Sequence, residues 1–98
     1  MKDRFDLNEF VNVDTIQSVN CRLVERVKER RKELKLTREE LSKRSGVSYA
    51  SLRRFEETGN ISLSSLLKIA NAFNTLKDFD YLFQDEIILN LKEYGEKW

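Results

Sequence analysis

The chain contains no proline and only three glycines, and its apolar residues recur every three or four positions from Ile16 to Phe83. Such a run builds helices, because residues at i, i+3, i+4 and i+7 share one helical face. The predicted fold class is all-α, with short helices joined by tight turns.

The first helix is expected to start after Asp14, with Asp14 as its cap and Gln17 at the third helical position. Its apolar stripe reads Ile16, Val19, Leu23, Val27 and Leu34. Arg31 falls on that stripe, so its guanidinium should turn inward and require a carboxylate. Thr37-Arg38-Glu39-Glu40 has the spacing of a capping box, in which the Thr37 hydroxyl and the Glu40 carboxylate each satisfy a backbone amide. That helix can run only to about Arg44, because Gly46 stands where a left-handed cap is wanted. Ser48 caps the next helix, Tyr49 to about Thr58, with Leu52 and Phe55 on its inner face, and Thr58-Gly59-Asn60 ends it. Ser62 caps a fourth, carried by Leu63, Leu66, Leu67, Ala70 and Phe73. A short last helix, about Leu76 to Phe83, adds Leu76, Phe79, Leu82 and Phe83 to the same core. The segment from Asp85 to Lys92 reads as strand, helix or irregular tail. Its Ile87-Ile88 pair and the following Gly95 favour a strand.

Three segments follow: an N-terminal arm (1–13), a folded domain (14–83) with its central motif at 37–57, and a C-terminal tail (84–98) for dimerisation or partner binding. At 98 residues there is room for one core. No apolar run approaches the roughly 20 residues that span a bilayer. The opening residues lack the apolar stretch of a signal peptide, and the single Cys21 cannot close an intrachain disulfide. Both predict a reducing cytoplasm. The net charge is only +1, but residues 22–54 hold twelve Lys and Arg against five Glu, and the remainder holds six against twelve acids. Such a block is either one face that meets an anion or a solvated helix surface laced with i,i+4 pairs around Arg26 and Arg30. An enzyme is the weakest reading. There is no His and no Gly-rich phosphate loop, and Asp78 and Asp80 fall on opposite sides of a short helix, so neither a metal nor another cofactor is expected.

Two short capped helices meeting across a glycine-containing turn match the helix-turn-helix arrangement, whose second helix can enter the DNA major groove. In its full spacing, Thr37-x3-Leu41-x4-Gly46-Val47-Ser48-x3-Leu52-x2-Phe55-Glu56-x2-Gly59, the chain resembles the Cro and C1-repressor type, or XRE family, over about residues 22–83. The resemblance implies a five-helix lambda-repressor-like domain that binds double-stranded DNA. Arg38 stands where the family usually has Gln, and Ser42 where it usually has Ala, which leaves base preference open. Leu41, Val47, Leu52 and Phe55 are expected in the core, setting the crossing angle of the two helices. The resemblance pairs Arg31 with Glu56, against the alternative that Arg31 binds phosphate. Candidates for DNA contact are Ser48, Tyr49, Ala50 and Ser51 at the start of the second motif helix, then Arg53 and Arg54 one turn on. Arg can bond guanine bidentately, and Ala or a Tyr edge can pack on a thymine methyl. Arg54 and Tyr49 are the expected base readers. The plainer alternatives are phosphate contact alone for the two arginines and simple cover of the helix start for Tyr49. Arg38, Asn60 and Ser62 are expected to grip phosphate, although Asn60 and Ser62 fit equally as plain caps.

One module reads too few base pairs for selective binding, so family members generally act as two-fold dimers on palindromic sites. The expected dimer or partner contact is Phe79, Leu82, Phe83, Ile87, Ile88 and Leu89, with Trp98 as an anchor for another protein or folded back on the domain. The Ser62-to-Phe83 run and the tail also resemble HipB-type antitoxins, which pair with a HipA-like toxin kinase. The function predicted is an autoregulating antitoxin that represses transcription. Against it stand a lone phage-like repressor and a protein-interaction module on a degenerate helix-turn-helix, the last disfavoured by Arg53 and Arg54 on the outer face.

Overall fold

The computed structural model describes residues 14–85, so the arm and the expectations placed on Ile87, Ile88, Leu89 and Trp98 lie outside the described residues. Four α-helices follow one another, α1 (Ile16–Glu33), α2 (Arg38–Ser45), α3 (Tyr49–Thr58) and α4 (Leu63–Ala72), then a 3-10 helix (Leu76–Tyr81). The described residues are all helix and turn. None of the described helices is long and apolar enough to cross a membrane.

Local hydrogen bonds set most of the boundaries. Thr37 Oγ1 accepts from the Glu40 amide at 3.0 Å, and the Glu40 carboxylate accepts from the Thr37 amide at 2.8 Å. Ser48 and Ser62 cap α3 and α4 by accepting from Ser51 and Ser65. Gly46 and Gly59 end α2 and α3 at φ 82°, where a side chain costs about 1–2 kcal/mol. At α1 the cap is Thr15 rather than Asp14, and its reciprocal partner is Ser18 rather than Gln17. Thr15 and Ser18 each carry a hydroxyl that can bond the other's amide, whereas Asp14 reaches along the helix to Arg22 at 2.9 Å.

Val24, Val27, Leu36, Leu41, Val47, Leu52, Phe55 and Ile69 form the buried core. Leu41, Leu52, Phe55 and Ile69 are almost wholly enclosed, so the centre lies where α2 packs on α3 and α4. The outer apolar positions differ from the sequence reading. Ile16, Val19 and Leu34 are exposed, and Val24 carries the stripe of α1 with Val27 and Arg31. The reason is the seat of α1 on α3: the buried edge includes Ser18, with Asn20 placed to bond the Gly59 carbonyl at 3.3 Å. Leu63, the first residue of α4, is exposed while Ile69 is buried. The last element is a 3-10 helix that stops at Tyr81, not an α-helix to Phe83, and it buries none of its residues fully. Left-handed Asn74 breaks the chain after α4, and Thr75 supplies no side-chain cap for a new α-helix. Leu76, Leu82 and Phe83 are consequently on the surface rather than in the core.

The Asn20 contact makes Gly59 sensitive. A Cβ built there would stand 2.7 Å from Asn20 Nδ2, on top of the left-handed backbone cost. Gly59→Ala should lower stability by about 1–2 kcal/mol or more. Gly46→Ala meets open space and should cost no more than the backbone alone. Urea melts of the two variants side by side check the difference.

Candidate nucleic-acid interface

Glu56 is the hinge of the site. Its side chain is 1% exposed. Arg31, also buried, donates from Nε to Oε2 at 2.9 Å and from Nη2 to Oε1 at 3.2 Å. The same guanidinium donates from Nη1 to the Leu36 carbonyl at 2.9 Å, and the Leu36 amide returns to the Arg31 carbonyl at 3.1 Å. One arginine thus fixes both the end of α1 and the loop into α2, where Lys35 takes φ 59°.

A third member was not anticipated. Arg38, at the start of α2, donates from Nε to Glu56 Oε1 at 2.8 Å. Its side chain is half-buried, with Nε committed to the protein. From sequence Arg38 is expected to grip phosphate; the structure adds the bond to Glu56. A signal was present: an Arg in the usual Gln position brings a charge that needs a partner when it leans on the domain. Burial pushes the Glu56 carboxyl up. Hydrogen bonds from Arg31 and Arg38 outweigh that and hold it below the ordinary carboxylate value. Three helices, α1, α2 and α3, are therefore tied at one carboxylate on the inner face of α3.

With Leu52, Phe55 and Glu56 turned inward, the outer face of α3 is fixed by the helical period. Tyr49, Ala50, Arg53 and Arg54 are exposed there, and Ser51 is half-buried. Ser48 sits at the N-terminus of this face, its Oγ accepting from the Ser51 amide and donating to Ser51 Oγ at 2.9 Å. The two arginines differ. Arg53 pairs with Glu57 at 3.0 Å along the helix, whereas Arg54 has no carboxylate partner among the described residues. Asn60 is exposed, its amide held by Thr58 Oγ1, and Ser62 is occupied as the α4 cap. Of the basic block on α1, Lys28 pairs with Glu25 and Arg30 with Glu33, both at i,i+3 rather than i,i+4.

A family model described as helix-turn-helix matches residues 27–79, which is more than half of the chain and includes all of α2, α3 and α4. The chain belongs to the XRE-type helix-turn-helix family. Within the matched region α2 and α3 form the helix-turn-helix, with Gly46 in the turn between them. Among curated proteins, an uncharacterized transcriptional regulator in the ATPase CF(0) region of Rhodospirillum rubrum is 39% identical over 72 residues. The matched part is 72% of this chain and 65% of that protein, so the chain spans slightly under two thirds of the relative's length. No solved structure matches the chain.

Proposed function

We propose that this helix-turn-helix protein is a sequence-specific, double-stranded DNA-binding transcriptional repressor that acts as a dimer on a palindromic operator and performs no catalysis of its own. The observation that carries the reading is the outer face of α3. It is a rigidly seated helix with Tyr49, Ala50, Arg53 and Arg54 exposed, anchored from behind by Glu56.

In this reading residues 14–83 are the DNA-binding domain. α3 enters the major groove, where Arg54 and Tyr49 meet base edges. Arg38, Ser48, Ser51, Arg53, Asn60 and Ser62 line the backbone on either side. Arg38 has its Nε on Glu56, which leaves the terminal nitrogens to reach a phosphate while the carboxylate fixes their direction. Dimer or partner contact falls to residues 79–98, of which Phe79 is half-buried and Leu82 and Phe83 are exposed. Autoregulation as the antitoxin of a HipA-like kinase is the finer part of the proposal. It is supported by the exposed apolar residues where the described chain ends, and co-purification with the product of a neighbouring gene tests it.

Titrating the protein against a labelled duplex of its own upstream region and against a scrambled duplex, at two salt concentrations, tests the reading. Repression predicts tighter binding to the upstream duplex, weakened by salt on both. Equal affinity for the two duplexes would remove sequence reading, and no binding to either would remove DNA.

A further inference from the structure

An apolar groove of about 480 Å³ lies between α1, α4 and the 3-10 helix. Val19, Leu23, Leu63, Leu66, Phe79 and Leu82 line it, and Arg26 and Arg30 stand among them. Val19, Leu63 and Leu82 are each about half exposed or more. An open apolar groove on so small a domain is surface that water disfavours and that another segment gains by covering.

The chain itself turns back at the rim of this groove. Leu82, one of the lining residues, has φ −67° and ψ 129°, and Phe83 follows at φ 60°. The Gln84 amide donates to the Tyr81 carbonyl at 3.2 Å. These are the angles and the hydrogen bond of a type II turn, whose third position favours glycine. A fully exposed phenylalanine occupies it instead. A bulky residue held there is strained by about 1–3 kcal/mol, and such strain persists where the surroundings enforce the turn.

The residues after the turn have the composition to fill the groove. Ile87, Ile88, Leu89 and Leu91 are bracketed by Asp85, Glu86 and Glu93 against the single Lys92. The groove presents two arginines against one acidic lining residue, Asp78; Arg30 already pairs with Glu33 at 3.3 Å, whereas Arg26 has no carboxylate partner among the described residues. Ile87 stands five positions beyond the lining residue Leu82, within about 16 Å of extended chain from the groove. A segment tethered that closely acts at an effective concentration on the order of millimolar, which favours the chain's own tail over that of a second copy.

We propose that residues 87–91 seat in this groove of their own chain, with Asp85, Glu86 and Glu93 facing Arg26 and Arg30, so that the tail completes the monomer's core before any dimer forms. The seat narrows the dimer or partner contact proposed for residues 79–98 to Phe83 and Trp98, because Ile87, Ile88 and Leu89 are then taken up within the monomer. It does not depend on DNA binding.

Hydrogen exchange on the full chain, followed by mass spectrometry at two protein concentrations 100-fold or so apart, tests it without DNA. The amides of residues 87–91 should exchange about tenfold or more slowly than unprotected amides, equally at both concentrations. Leu63→Asp puts a charge into the groove at a position that is 64% exposed. It should release that protection while α2 and α3 stay protected. Full exchange of 87–91 in the wild type overturns the proposal. Protection that disappears on dilution assigns the seat to a second copy and overturns it too, as does protection that Leu63→Asp leaves untouched.

Discussion

Replacing Glu56 by alanine should lower the stability of this protein by about 3–5 kcal/mol, because it strands the buried charge of Arg31. The Arg31 side chain is 10% exposed, and its Nε and Nη2 would lose their acceptors together. Arg38 loses its acceptor too, but it is exposed enough to recover water and adds little. For a domain of this size the loss corresponds to a drop in Tm of at least about 12 °C. Glu56→Gln keeps one acceptor oxygen and should fall between the two. The pH dependence has a definite sign. The Glu56 carboxyl sits below its ordinary value of 4.5 in the folded protein, because two arginine hydrogen bonds overcome the effect of burial. A depressed carboxyl contributes its stability in full above the unfolded-state value and loses it as pH falls through the folded one. Thermal melts from neutral pH down to about pH 3 should therefore show a steeper acid-side decline in wild type than in Glu56→Gln. Parallel declines would mean that Glu56 is not the group whose protonation opens the domain.

The parts of this fold that could be read from sequence are those written in short-range hydrogen bonds. Thr37 and Glu40, Ser48 and Ser62 each act within three residues of themselves, and Gly46 and Gly59 mark the left-handed ends directly. The need of Arg31 for a carboxylate was legible because a charge interrupting an apolar stripe has few acceptable solutions. Apolar periodicity was a poorer guide to depth. It gives a helix its face only to within a residue or so, and the stripe read on α1 took in Val19 and left out Val24, although Val24 is the buried one. Which of them is buried depends on how α1 lies across α3, a fact of tertiary packing that no local pattern carries. The left-handed positions at Lys35, Asn74 and Phe83 are similarly opaque, since sequence announces such conformations mainly through glycine. The Arg38–Glu56 link joins residues 18 apart in the chain, and only the folded domain brings them together. As for the site, the sequence named the outer face of α3 and favoured Arg54, with Tyr49, as base reader, but it carried no sign of the Glu57 pair that sets Arg53 apart from Arg54.

They are not equivalent in the structure, and the difference sets the largest expected effect on DNA binding. Arg53 lies along α3 with its Nε 3.0 Å from Glu57, so any phosphate must compete with a carboxylate already in place. Arg54 has no such competitor among the described residues and is free to extend from the helix. An arginine that meets guanine O6 and N7 is worth about 1–3 kcal/mol of discrimination, roughly 5- to 150-fold. Arg54→Ala should cost that much per half-site on the operator duplex while changing affinity for a scrambled duplex far less. Arg53→Ala should instead weaken both duplexes by a similar, smaller factor and flatten the salt dependence by about one counterion per contact. Both arginines lie on the solvent side of α3, away from Leu52 and Phe55, so both variants should melt within about 0.5 kcal/mol of wild type. A change in affinity is then a change at the interface. Should the two phenotypes be exchanged, with Arg53 carrying the preference for the operator, the Arg53–Glu57 pair must open on binding. The base-reading edge of α3 would then lie one residue nearer Tyr49.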